Sequence, residues 1–181
     1  YGSDSDKVSY ISPSFGGIQA GVSYMDSGAT GTTDSTAYGA SYTHENIKIG
    51  FTKGMQEVSG AIDNESQSIG AKVSFGDIAI IGAMSTVEGA DEDIETIGAG
   101  ASYAINASTS IAVSTMESED ALDVSGTEKE NLKQNMVEIK HAIAPGLTGY
   151  VNYTDYEYKN GGEASTDDDG SVLQFKISAK F

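Results

Sequence analysis

Residues 171–181, Ser-Val-Leu-Gln-Phe-Lys-Ile-Ser-Ala-Lys-Phe, leave this chain little choice of conformation. In steps of two, Leu173, Phe175, Ile177, Ala179 and Phe181 form an apolar row, and Gln174, Lys176, Ser178 and Lys180 form a polar one. A β-strand sends successive side chains to opposite faces, so this stretch is expected to be a strand with one oily side and one wet side.

The same period-2 pattern recurs upstream. It runs through Val8 and Tyr10, then Ile18, Ala20, Val22 and Tyr24, then Tyr38, Ala40 and Tyr42, and then Ile47, Ile49 and Phe51. Further apolar rows pass through Ile69, Ala71, Val73 and Phe75, residues 78–86, Ile97 to Tyr103, Ile111 and Val113, Val137 to His141, and residues 147–158. Short turns fall near residues 15, 45, 76, 106 and 145, and Pro13 and Pro145 sit in them, where a residue without a backbone donor is tolerated. Long polar loops are expected at 25–35, 56–65, 88–93, 117–131 and 159–170. The unit of about thirty residues is therefore strand, short turn, strand, long loop. Twenty-two of the 27 acids lie in or beside the five long loops, whereas Glu45 and Asp77 mark the short turns. Tight turns at one edge and long charged loops at the other are the signature of a transmembrane antiparallel barrel. A soluble sandwich does not require that asymmetry.

Composition removes several functions. The ten basic residues, all Lys, face 27 acids for a net charge of −17, which argues against nucleic-acid binding. Cysteine is absent, so disulfides, thiolate metal sites and cysteine catalysis are excluded together. No window approaches the roughly 20 apolar residues of a spanning helix, but a barrel strand needs only about ten alternating ones. The in-phase apolar rows are slim, with Tyr and Phe near strand ends. Aromatics make up 8% of the chain and Trp is absent, too little bulk to fill the inside of a many-stranded barrel. A lipid-facing exterior with aromatic girdles and a wet lumen fits better.

These motifs carry a family resemblance. The alternating C-terminal strand ending on Phe181 resembles the closing strand of Gram-negative outer-membrane barrels. In that family the terminal aromatic and its alternating partners are read by the assembly machinery, so the resemblance implies that Leu173, Phe175, Ile177 and Phe181 act as an assembly signal. Lys7-Val-Ser-Tyr-Ile-Ser-Pro-Ser-Phe-Gly-Gly17 and the following residues to Tyr24 resemble the strand-turn-strand segment of general bacterial porins, which follows their constriction loop. Ala142-Ile-Ala-Pro-Gly-Leu-Thr148 resembles their recurrent turn. The resemblance implies an all-β, up-and-down transmembrane barrel. The eleven strands counted here would be strands six to sixteen of a 16-stranded protein, with five strands, the constriction loop and a signal peptide lying before them. Residues 1–181 are expected to form a single barrel domain, incomplete at its N-terminus.

No catalytic constellation is present. His44 and His141 both lie beside short turns with no nucleophile or carboxylate paired to them by spacing, and are read as interface residues. Asp91-Glu-Asp93 and Asp167-Asp-Asp-Gly170 supply the oxygen ligands that calcium takes but lack the EF-hand spacing, and are read as solvated loop charge. Lys7, Lys48, Lys72, Lys140 and Lys176 fall on the polar parity of their strands and are expected to line the lumen. They would form a basic strip facing acidic mouth loops, a transverse field that orients permeating solutes.

The reading is a general diffusion porin of the outer membrane, not an enzyme, passing ions and small hydrophilic solutes without a cofactor. By resemblance its partners are lipid, lipopolysaccharide, the barrel-assembly machinery and two further copies of itself. The rivals are a solute-specific channel, which would need lumenal aromatics or clustered Arg, and a plugged barrel serving as an adhesin or membrane anchor.

Overall fold

The computed structural model describes residues 6–26, 33–58, 61–89, 93–120, 130–159 and 168–180. Eleven strands follow one another: β1 (Asp6–Ile11), β2 (Ile18–Asp26), β3 (Thr33–His44), β4 (Ile47–Val58), β5 (Ala61–Phe75), β6 (Ile78–Gly89), β7 (Asp93–Ala104), β8 (Thr109–Asp120), β9 (Glu130–Ala144), β10 (Leu147–Lys159) and β11 (Asp168–Ala179). They form one sheet in sequence order, each antiparallel to the next, with β1 and β11 at its two edges. This is the up-and-down topology that alternating rows and tight turns impose, because sequential strands joined by two residues have nowhere else to pair.

The short turns use left-handed backbone where it is needed. Gly17 has φ 87°, Gly76 56° and Gly146 78°, while Glu45 adopts φ 46° without being glycine. Gly17 is also constrained by a close approach: the Thr43 backbone nitrogen donates to its carbonyl at 2.9 Å, and a Cβ at Gly17 would collide with the Thr43 carbonyl.

The strands are longer than the apolar alternation suggests. Polar residues expected in loops continue the ladders: Glu57 pairs with Ile62, Glu119 with Asn131, Asp120 with Glu130, and Tyr158 with Asp168. Backbone pairing does not need apolar side chains, so strands run past the oily band into what must be water.

The sheet has no core. Among the described residues none is buried, and apolar side chains such as Phe175 and Ile177, each 72% exposed, stand in the open. A monomer in water does not leave such a contiguous apolar face uncovered. A bilayer would cover it.

Candidate functional site

The register sorts the side chains into two faces, because directly paired residues share a face. One row passes through Tyr42, Ile49, Ala71, Gly82, Ala99, Thr115, Asn135 and Asp155. This face is apolar from the short turns to mid-strand and becomes charged toward the long loops, at Glu65, Glu88, Glu95, Glu117, Glu157 and Asp169. The other face carries Ser, Thr, Gly, Gln and Asn. At mid-height it is built from small residues, with Gly50 opposite Gly70, Gly70 opposite Ala83, and Ala83 opposite Gly98.

All five lysines singled out in the sequence lie on the polar face. Lys48 is the direct cross-strand partner of Lys72. Lys140 and Lys176 both pair with Tyr150, from β9 and β11 respectively. The Lys176 ammonium lies over the Tyr150 ring, 5.6 Å from its centroid, a cation–π contact. Lys7 pairs with Met25 on the edge strand β1, further from its short turn. Among the described residues none of these five ammonium groups is in an ion pair. The lysines of the apolar face are different. Lys53 is ion-paired to Glu65, Lys133 to Glu117 at 3.2 Å and Lys159 to Glu157 at 3.2 Å, all toward the long-loop end. Glu117 is also held by the Asn131 amide at 2.9 Å.

A two-faced sheet of this kind is one wall of a barrel, and the family comparison agrees: the sequence model of the Gram-negative porin family matches residues 1–161. The chain belongs to that family. Its place is the outer membrane.

Solved structures share the fold at low identity. OccAB4 of Acinetobacter baumannii superposes on 97% of this chain with a TM-score of 0.79 at 12% identity, over 53% of its own length. OccK10 (OpdN) of Pseudomonas aeruginosa covers 98% of this chain and 60% of its own, with a TM-score of 0.77 and 10% identity. OmpT, an outer membrane protein of Vibrio cholerae, covers 96% and 62%, with a TM-score of 0.72 and 11% identity. The porin chain thus spans between half and two thirds of the structures it resembles. No curated protein sequence matches it.

Leu173, Phe175 and Ile177 lie on the apolar face in register with Tyr153, Val151 and Gly149 of β10, while Phe181 lies outside the described residues. His44 stacks on Tyr42 with ring centroids 6.2 Å apart, and the His141 Nδ1 meets the Thr109 hydroxyl at 2.9 Å; both histidines are on the apolar face beside short turns. Asp91, Glu92 and Asp167 lie outside the described residues, and among those described no group of three potential metal ligands converges.

Tyr150, Tyr156 and Tyr158 were missed by the reading of in-phase aromatics as lipid-facing. Their partners are Lys140, Gln134 and Leu132 on β9, and all three tyrosines stand on the polar face. The Tyr156 hydroxyl donates to Asp168 at 3.4 Å. The parity of 150, 156 and 158 against 153 is the signal that would have found them.

Proposed function

We propose that this chain forms most of the wall of a water-filled channel through the outer membrane, passing ions and small hydrophilic solutes by passive diffusion. The observation that carries the reading is the segregation of the sheet. An apolar face without a core needs lipid, and a polar face floored by glycine, serine and alanine, whose five lysines form no ion pair among the described residues, needs water. Small mid-height residues argue against the plugged adhesin or anchor, which needs bulk on the inward face. By the same reading, Lys7, Lys48, Lys72, Lys140 and Lys176 line the pore, and Leu173, Phe175, Ile177 and Phe181 present the assembly signal. The intact protein assembles as a homotrimer among lipid and lipopolysaccharide; a trimer form is recorded for OmpT of Vibrio cholerae. The whole of residues 1–181 belongs to the one barrel domain.

A second reading, a solute-specific channel, is favoured by Tyr150, Tyr156 and Tyr158 on the polar face of β10, with Tyr150 between Lys140 and Lys176. An aromatic row with adjacent cations is what a binding track requires.

The test is planar-bilayer conductance of the full-length protein in a salt gradient. Long-lived steps in multiples of three, without saturation by solute, support the trimeric diffusion channel. Saturable block by one solute class supports the specific one. Folded, inserted protein that never opens overturns both.

A further inference from the structure

The charges of the polar face are sorted by height along the strands. Lys48 is one residue from the short-turn end of β4, Lys72 and Lys176 are three from the ends of β5 and β11, and Lys140 is four from the end of β9. The acids of the same face cluster at the opposite end. Glu130 opens β9, Asp168 opens β11, and Asp120 closes β8. Two residues depart from the sorting. Glu138 is near Lys140, where the Asn152 amide, turned to face it, donates at 3.1 Å, and Lys7 is set back on the edge strand. The long-loop rim is made more negative by Glu88, Glu95 and Asp169 of the other face.

From this arrangement we infer that the pore is bipolar along its axis, anion-attracting at the short-turn mouth and cation-attracting at the long-loop mouth, and that it therefore rectifies current. The inference rests on the channel reading above and replaces a transverse field by an axial one.

Magnitudes decide whether the two zones act separately. Glu130 and Lys140 share β9 ten residues apart, about 34 Å of strand and, at barrel tilt, roughly 25 Å of axis. The Debye length is about 10 Å at 0.1 M salt and about 3 Å at 1 M. At the lower salt each zone sets the ion population of its own half, and the halves remain distinct. When the long-loop side is positive, cations leave the acidic zone and anions leave the basic zone toward the middle, so carriers accumulate and conductance rises. Reversing the voltage empties the middle. At the higher salt bulk ions swamp both zones and the asymmetry disappears.

The test is the current–voltage curve of the full-length protein in symmetric KCl. Its orientation is fixed by an impermeant maleimide on Ala107→Cys in the β7–β8 turn. At about 0.1 M salt the current with the long-loop side positive exceeds the reverse by on the order of twofold, and the ratio falls to about one at 1 M. Substituting Lys48, Lys72, Lys140 and Lys176 by Gln abolishes the rectification at 0.1 M. Glu130→Gln with Asp168→Asn reduces it from the other end. A symmetric curve at 0.1 M from open wild-type channels overturns the bipolar pore and leaves the channel standing. Rectification that survives the lysine substitutions also overturns it. Absence of any openings overturns the channel and the bipolar pore together.

Discussion

Lys48 and Lys72 face each other directly across the β4–β5 ladder, with Thr43, Gly50, Gly70 and Ile81 as their neighbours on the same face, and among the described residues neither is in an ion pair. Like charges placed directly opposite in a sheet destabilise it by a few tenths to about 1 kcal/mol. A wall that keeps such a pair forgoes stability for a local positive potential. Lys72→Glu converts the repulsion into a cross-strand ion pair. It should raise the urea midpoint of the full-length protein in lipid vesicles by the equivalent of about 0.5–1 kcal/mol. The same substitution should move the reversal potential in a salt gradient toward cation preference. A lowered midpoint would contradict the pairing.

Lys133 and Lys140 stand on one strand seven residues apart, and hence on opposite faces. Lys133 is spent on Glu117 at the exposed outer surface, where an ion pair is worth about 0.2–1 kcal/mol. Lys133→Gln should therefore cost no more than that in stability and leave ion selectivity unchanged. Lys140→Gln should leave stability nearly unchanged and shift the reversal potential. Equal electrical effects from both would mean that the two faces do not separate lipid from water.

Much of this was legible in the residues. The eleven strands, their order and the five short turns follow from period-2 rows punctuated by Gly and Pro, because a one-residue slip would turn a whole row to the wrong face. The outer third of each strand was not legible. From Gln56 to Glu65, for example, nothing alternates, yet the ladder continues through Glu57 and Ile62. Hydrophobic periodicity reports only the portion of a strand that touches lipid. The Tyr150 row was hidden for another reason. On β10 tyrosine occupies both parities, at 150, 156 and 158 on one side and 153 on the other, so aromatic content alone names no face. The pairing of Lys48 with Lys72 required the register across β4–β5, which the sequence does not name, because residues 56–65 read there as a polar loop and not as the ends of two paired strands.

Val113 and Ser114 are adjacent on β8 and face opposite ways, Val113 toward Ala101 and Val137, Ser114 toward Gly100 and Met136. A lysine on the lipid face near the bilayer midplane costs about 2–4 kcal/mol. Val113→Lys should cost close to that in vesicle refolding, and Ser114→Lys less than about 1 kcal/mol, since water receives its charge. The reverse ranking would exchange the assignments of lumen and lipid.

The turn before β2 has a single tolerable residue at position 17. Gly17 combines φ 87° with the close Thr43 carbonyl, so Gly17→Ala meets both left-handed strain and a backbone collision. The strain alone is about 1–2 kcal/mol. Refolding yield, read as the compact band in an unheated detergent gel, should fall, whereas Gly50→Ala, whose added Cβ meets nothing within 4 Å, should leave the yield unchanged.

The sheet's edges set the last expectation. Among the described residues β1 pairs only with β2, and β11 only with β10, so the outer edge of each carries a row of backbone donors and acceptors without strand partners there. In hydrocarbon each unsatisfied group costs several kcal/mol, and in water such edges recruit other chains. The 181-residue chain alone should therefore aggregate on refolding and give no compact, heat-modifiable band. A longer chain that supplied partner strands to both edges should give one. If the isolated chain migrates as a compact monomer, β1 and β11 have found each other, and the wall closes with eleven strands.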